Sequence, residues 1–178
     1  MSRDLRRPPG PAPESEPRET VTAVVALGAN LGDRAATLDA AFAELRRLPL
    51  VDEVVPSTPI ESVAVTLDGP DETAPAYLNA VALVRTRLAP SVLLGMLHAI
   101  EARHGRERRE RWGARTLDLD LIAYGDVVSE DERLRVPHPR AHERDFVLAP
   151  WLEVDPDAVL PGHGRVADVL ARLRGGGR

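Results

Sequence analysis

Apolar side chains along this chain change their spacing several times, and each change marks an expected element. Val21 to Leu27 is almost unbroken in its apolar character and reads as a central strand. It runs into Gly28-Ala29-Asn30-Leu31-Gly32-Asp33, a tight turn, where Asp33 caps a helix with Leu38, Ala41, Phe42, Leu45 and Leu48 recurring at three and four. Val51 to Val55 and Ile60 to Val65 follow as short strands around a turn at Pro56 and Pro59, and Thr66 to Pro75 is a polar, acidic loop. Ala76 to Leu88 resumes as a strand. Pro90-Ser91 then opens a second helix, with Leu93, Met96, Leu97 and Ile100 on one face, ending at Gly105.

Beyond that helix the period drops to two. In Thr116-Leu117-Asp118-Leu119-Asp120-Leu121 the carboxylates alternate with leucines. On a strand, Asp118 and Asp120 stand about 7 Å apart on one face, with Leu117, Leu119 and Leu121 buried on the other. An acidic turn over Asp126 to Glu132, a short strand from Leu134 to Val136, Pro137-His138-Pro139, and two helical segments around Asp145 to Trp151 and Val166 to Leu173 complete the pattern. The order strand, helix, strand, strand, helix, strand predicts an α+β fold: a ferredoxin-like βαββαβ core with a mainly antiparallel sheet, plus additional C-terminal helices.

Composition narrows the classes. The 178 residues suit one substantial core, expected over residues 20–174, between a proline-rich disordered leader at 1–19 and a flexible glycine tail at 175–178. A net charge of −5 speaks against a general nucleic-acid binder and for a small-molecule partner. The absence of cysteine excludes disulfides and thiolate zinc sites. No apolar segment resembles a membrane span or secretory signal, so a cytoplasmic protein with no membrane partner is expected. All 23 basic residues are arginine, which removes P-loop, protein-kinase and Schiff-base chemistries that need a lysine.

Six arginines lie between Arg103 and Arg115, immediately before the acid pair. An alternating Leu/Asp strand alone is most often a half-solvated strand, and an arginine run alone is usually a solvated surface; their adjacency favours a site. Magnesium takes one or two carboxylates plus substrate phosphates, and arginine offers bidentate phosphate donors, so the local chemistry reads as metal-assisted handling of a polyphosphate. Trp112-Gly113 adds a large ring and a hinge suited to a loop closing over a ligand. Gly28-x-x-x-Gly32 is a weak phosphate-loop signal and fits tight-turn chemistry better.

Arg111-Trp112-Gly113-Ala114-Arg115-Thr116-Leu117-Asp118-Leu119-Asp120 closely resembles the signature of the 6-hydroxymethyl-7,8-dihydropterin pyrophosphokinase family. Ala26-Leu27-Gly28-Ala29-Asn30-Leu31-Gly32, Tyr77-Leu78-Asn79-Ala80-Val81, Val136-Pro137-His138-Pro139 and Arg144-Asp145-Phe146-Val147-Leu148 resemble further family segments in the same order, over roughly residues 21–165. The resemblance implies transfer of pyrophosphate from ATP to the hydroxymethyl group of the pterin, releasing AMP, in folate biosynthesis. It implies that Asp118 and Asp120 bind two Mg2+ ions and that Glu101, Arg106, Arg108, Arg111, Arg115, His138 and Arg144 contact ATP, with Arg106 and Arg115 catalytic alongside the acids. It further implies that Thr58, Pro59, Tyr77, Asn79, Trp112 and Phe146 bind the pterin, in a protein expected to be monomeric. Ala114 stands where the family usually has proline, His98 where some members have a nucleotide-contacting glutamine, and residues 66–75 have their own sequence.

Two other readings share this topology. A palm-type nucleotidyl transferase or cyclase also places paired acids on a ferredoxin-like sheet, and would release inorganic pyrophosphate. An RNA-binding module would need sheet aromatics, and the chain has only six aromatic residues in all.

Overall fold

The computed structural model describes residues 19–66, 69–71, 75–105 and 116–176. Residues 1–18 of the expected leader, residues 177–178, Ala114, and the expected site residues Arg106, Arg108, Arg111, Trp112 and Arg115 lie outside the described residues.

β1 (Val21–Ala29) is the centre of the molecule. Its odd-numbered side chains Ala23, Val25, Leu27 and Ala29 enter one buried cluster, and Val24 and Ala26 enter a second on the opposite side. Burial on both faces is why this strand reads as a run rather than an alternation. α1 (Arg34–Arg46) starts where the Asp33 carboxylate accepts the Ala36 N–H at 3.0 Å, and it presses Leu38, Ala41, Phe42 and Leu45 onto the first face. β2 (Val51–Pro56), β3 (Ile60–Ser62), the small β4/β5 pair (Ala64–Thr66 with Gly69–Asp71) and β6 (Tyr77–Thr86) follow. α2 (Pro90–Arg103) begins at a proline and covers the first face with Leu93, Leu97 and Ile100. β7 (Asp118–Tyr124) closes the core.

Strands lie in the order β2-β6-β1-β7, every neighbour antiparallel, with β3 also paired to β6. Each of α1 and α2 therefore connects strands with one other strand between them, the double split βαβ of a ferredoxin-like α+β fold. The second face is covered by α3 (Asp145–Val154) and α4 (Val166–Gly175), through Val147, Leu148, Trp151, Val166, Val169 and Leu170.

Several expected boundaries shift. Gly28 belongs to β1, and the turn needing a left-handed residue falls at Gly32, φ +62°. The strand expected over Ile60 to Val65 breaks at Val63, and the segment read as a loop from Thr66 begins within the β4/β5 ladder. Ser129–Asp131, expected within a turn, is β8, paired with β9 (Leu134–Val136). A short β10/β11 hairpin (Val159–Leu160 with Gly164–Arg165) precedes α4. In β7, Val24 pairs with Ala123 and Val25 with Leu121, so Ile122 is an inserted bulge residue. Past it Tyr124 faces the α2 side, where its hydroxyl donates to the Leu88 carbonyl.

Candidate active site

Where α3 and α4 leave the second face of the sheet uncovered, a cavity of about 520 Å3 opens, a size suited to small-molecule ligands. Its floor is Gly28 on β1, with Asn79 of β6 opposite on one side and Asp118 of β7 opposite on the other. Asp120 pairs with Ala26, so both aspartates project on the cavity face. Leu117, Leu119 and Leu121, each at most 4% exposed, anchor the same segment in the opposite core. The alternation that makes a strand amphipathic thus delivers two carboxylates to one face.

The wall above the aspartates comes from residues 138–147. Arg144, at the start of α3, donates from Nη1 to Asp120 Oδ2 at 2.8 Å. His138 is fixed twice: its own N–H donates to the carbonyl of the bulge residue Ile122 at 2.8 Å, and its Nδ1 accepts the Arg140 backbone N–H at 3.1 Å. A backbone N–H can only donate, so Nδ1 is an acceptor and the ring proton sits on Nε2, which faces Asp120 Oδ2 at 3.9 Å. Burial holds the imidazole pKa below its ordinary value; Asp120 opposes this, and the Arg144 and Arg140 charges add to it. His138 is therefore a neutral donor aimed into the cavity. Arg140 lines the same wall, its Nε donating to Glu143 at 3.1 Å.

At the other end Asn79, 6% exposed, donates from Nδ2 to Ser62 Oγ at 2.8 Å. Its Oδ1 lies over Gly28, where a methyl group would stand 3.3 Å from that oxygen and 3.7 Å from the Tyr77 ring. Tyr77 and Phe146 line this end, and the Arg144 guanidinium carbon lies 5.9 Å from the Phe146 ring centroid, within cation–π range.

Of the expected site residues, Asp118, Asp120, Tyr77, Asn79, His138, Arg144 and Phe146 line one cavity. Thr58 and Pro59 do not line it: Thr58 is turned toward α3, giving both its N–H and its hydroxyl to the Glu153 carboxylate. Glu101, read as an ATP contact, is also outside the lining; it is 1% exposed on the α2 side of β7. Gly28, Ser62, Val63, Arg140 and Glu143 line the cavity without having been singled out as ligand contacts. The Arg-x-x-Glu spacing of Arg140 and Glu143 carried a signal of pairing, whereas Ser62 comes in through strand pairing with β6 and Val63 through following it in the chain.

Two carboxylates on one face suit magnesium, which keeps several waters and completes its shell with phosphate oxygens. Among the described residues no three histidine, cysteine or acidic side chains are placed to hold a metal ion by themselves. The two aspartates fit a metal shared with a polyphosphate.

A family model described as 7,8-dihydro-6-hydroxymethylpterin-pyrophosphokinase (HPPK) matches residues 24–156. A Haemophilus influenzae protein named 2-amino-4-hydroxy-6-hydroxymethyldihydropteridine pyrophosphokinase is 39% identical over 153 residues, 86% of this chain and 93% of that protein. A Synechocystis protein of the same name is 42% identical over 154 residues, 86% of this chain and 76% of its own. Among solved structures, wild-type Plasmodium falciparum HPPK-DHPS superposes with a TM-score of 0.65 at 13% identity, covering 90% of this chain and 43% of that one. The same protein with pterin and p-hydroxybenzoate gives 0.62 at 13% identity, covering 89% and 44%. The chain thus spans less than half of these longer proteins, and the likeness to them is one of fold.

Proposed function

The chain belongs to the 7,8-dihydro-6-hydroxymethylpterin-pyrophosphokinase family, and from that membership we propose how its cavity carries out the reaction. The enzyme is an ATP-dependent diphosphotransferase that moves the pyrophosphoryl group of ATP to the hydroxymethyl group of 6-hydroxymethyl-7,8-dihydropterin, in folate biosynthesis. The observation that carries the assignment of residues is the convergence, on one face of one sheet, of an acid pair, a cationic wall and a polar–aromatic slot.

The slot formed by Tyr77, Asn79 and Phe146 takes the pterin: aromatic rings suit the faces of a flat heterocycle, and the Asn79 amide offers donor and acceptor to its edge. Thr58 and Pro59, between β2 and β3, join this set as the family resemblance implies, with Thr58 held by Glu153. Asp118 and Asp120 would hold two Mg2+ ions, which when bound with nucleotide offset the charge of the triphosphate. His138 supplies a neutral Nε2–H donor, and Arg144 a bidentate one, to phosphate oxygens. Arg106, Arg108, Arg111 and Arg115 complete the clamp, with Trp112 beside the pterin, as the family resemblance implies. The pterin hydroxymethyl oxygen attacks the β-phosphorus in line, the bond from that phosphorus to the bridging oxygen breaks, AMP leaves with that oxygen, and the hydroxyl proton passes to solvent. Phosphoryl transfer depends mainly on positioning and charge stabilisation, and no side chain lining the cavity is required as a dedicated base.

Residues 20–174 form one domain, supported by two buried clusters that share a single sheet. The proposed enzyme acts as a monomer and in the cytoplasm, where its co-substrate ATP is available. No helix among the described residues is long and apolar enough to cross a membrane. Following the nucleotide product tests the reaction: AMP is expected, whereas ADP would reject β-phosphorus attack and inorganic pyrophosphate would indicate a nucleotidyl transferase. Undiminished turnover in Asp120→Ala would reject the acid pair as the metal site.

A further inference from the structure

We infer that Glu101 is a positioning residue for the Asp118/Asp120 pair, gripping the strand that carries them from the face opposite the cavity. This rests on the reading of those aspartates as the metal-binding acids. Among the described residues β7 stands at the end of the strand order, with β1 as its ladder partner. An edge strand leaves alternate N–H groups without a strand to receive them, and a buried one is costly unless another acceptor is provided. Leu119, between the two aspartates, is such a residue: its side chain is 2% exposed and its N–H donates to Glu101 Oε1 at 2.8 Å.

Glu101 occupies a position where packing alone would select an apolar residue. It continues the α2 stripe of Leu93, Leu97 and Ile100, each 0% exposed, and is itself 1% exposed. Burying a carboxylate is expensive unless it is hydrogen-bonded, so its presence in this stripe needs a task. The carboxylate replaces the missing neighbour strand at one residue. In an extended chain, adjacent N–H groups point to opposite edges. With that of Leu119 turned outward to Glu101, those of Asp118 and Asp120 turn inward to β1, where these residues pair with Gly28 and Ala26. The Asp-Leu-Asp tripeptide is thus held along both edges. Sub-ångström placement of metal-binding groups depends on such outer support, whose removal commonly weakens metal affinity 10–100-fold.

Two variants separate this role from a nucleotide contact and from simple stability. Glu101→Leu fills the slot with an apolar side chain, and Glu101→Gln keeps an acceptor oxygen without the charge. Mn2+ is titrated calorimetrically into each protein with a non-hydrolysable ATP analogue present, the analogue is also titrated without metal, and hydrogen exchange is read at the Leu119 amide. The expected result is that Glu101→Leu binds metal-free analogue like the parent, loses protection at Leu119 and binds Mn2+ about 10–100-fold more weakly, with Glu101→Gln recovering most of that loss. Unchanged Mn2+ affinity in both variants would overturn the proposal, and so would an equal loss of metal-free analogue binding, which would make Glu101 a nucleotide contact. Asp118→Ala and Asp120→Ala run alongside. Metal loss in these but not in the Glu101 variants overturns the role of Glu101 alone, whereas retention in all four overturns the acid-pair reading with it.

Discussion

Arg144 and Asp120, from the start of α3 and the middle of β7, meet across the cavity with Nη1 2.8 Å from Oδ2. The two side chains are 23% and 31% exposed, so the pair is partly buried but still reached by solvent, and its contribution to folding is on the order of 1 kcal/mol. On the proposed function its value for catalysis is larger, because a preoriented cation beside developing phosphate charge is worth roughly 10²-fold in rate. Arg144→Ala is expected to lower kcat/KM for ATP by about that factor while leaving the unfolding midpoint close to that of the parent. Steady-state kinetics and urea unfolding on the same preparations check both halves.

Asp118→Asn and Asp120→Asn retain shape and remove charge. Each should reduce AMP formation by roughly two to three orders of magnitude, and binding of the pterin slot's ligand, measured with nucleotide and metal present, should fall less than turnover. A variant of either residue that turns over within threefold of the parent at ordinary magnesium would contradict the assignment.

Gly28→Ala tests the floor of the cavity. The added methyl would stand 3.3 Å from Asn79 Oδ1, close enough that the amide must give by a few tenths of an ångström. Gly28 has no left-handed backbone requirement, so the fold should tolerate the change within about 1 kcal/mol. KM for the dihydropterin is expected to rise on the order of 10-fold, with KM for ATP nearly unchanged; the reverse ordering would move the pterin away from Asn79.

A pH dependence of stability should arise at the far side of the molecule. Burial raises the Glu44 carboxyl pKa, but the hydrogen bonds from Arg103 and His104 and their charges outweigh it and hold the group below its ordinary value. Depressed in the folded state, the carboxylate contributes its full stabilisation above about pH 4.5 and loses it as pH falls through the lowered folded value. Glu44→Gln should therefore be less stable than the parent near neutrality, and the two unfolding curves should converge as the solution is acidified. A gap that persists unchanged at low pH would show that packing, not ionisation, makes the difference.

The strands and helices of the core were legible because each had a periodic reason to be. β1 showed its two-sided burial as a run, α1 showed its Asp33 cap, and β7 showed its two faces as Leu/Asp alternation. Elements held by pairing rather than by periodicity were not legible. β8 is three residues of Ser-Glu-Asp with no apolar face, and it is a strand because β9 lies beside it. The candidate site divides in the same way. Asp118, Asp120, Asn79 and His138 announce themselves by chemistry unusual for their surroundings, whereas Ser62 enters because β3 pairs with β6 and brings its hydroxyl to Asn79. Glu101 was visible as an acid on α2, but which side of β7 it would occupy depended on the helix packing, which spacing along one chain does not express.

The residue inserted at Ile122 makes β7 two half-strands joined out of step. One half keeps its acids toward the cavity, while the other turns Tyr124 back to hold Leu88 at the root of α2. Trimming that single residue would rotate the far half by a half-period and pull Tyr124 through to the wrong layer, leaving the order of the acids untouched. Deleting Ile122 is therefore expected to cost more than replacing it with another apolar side chain, because the residue is both the register step and part of the second buried cluster.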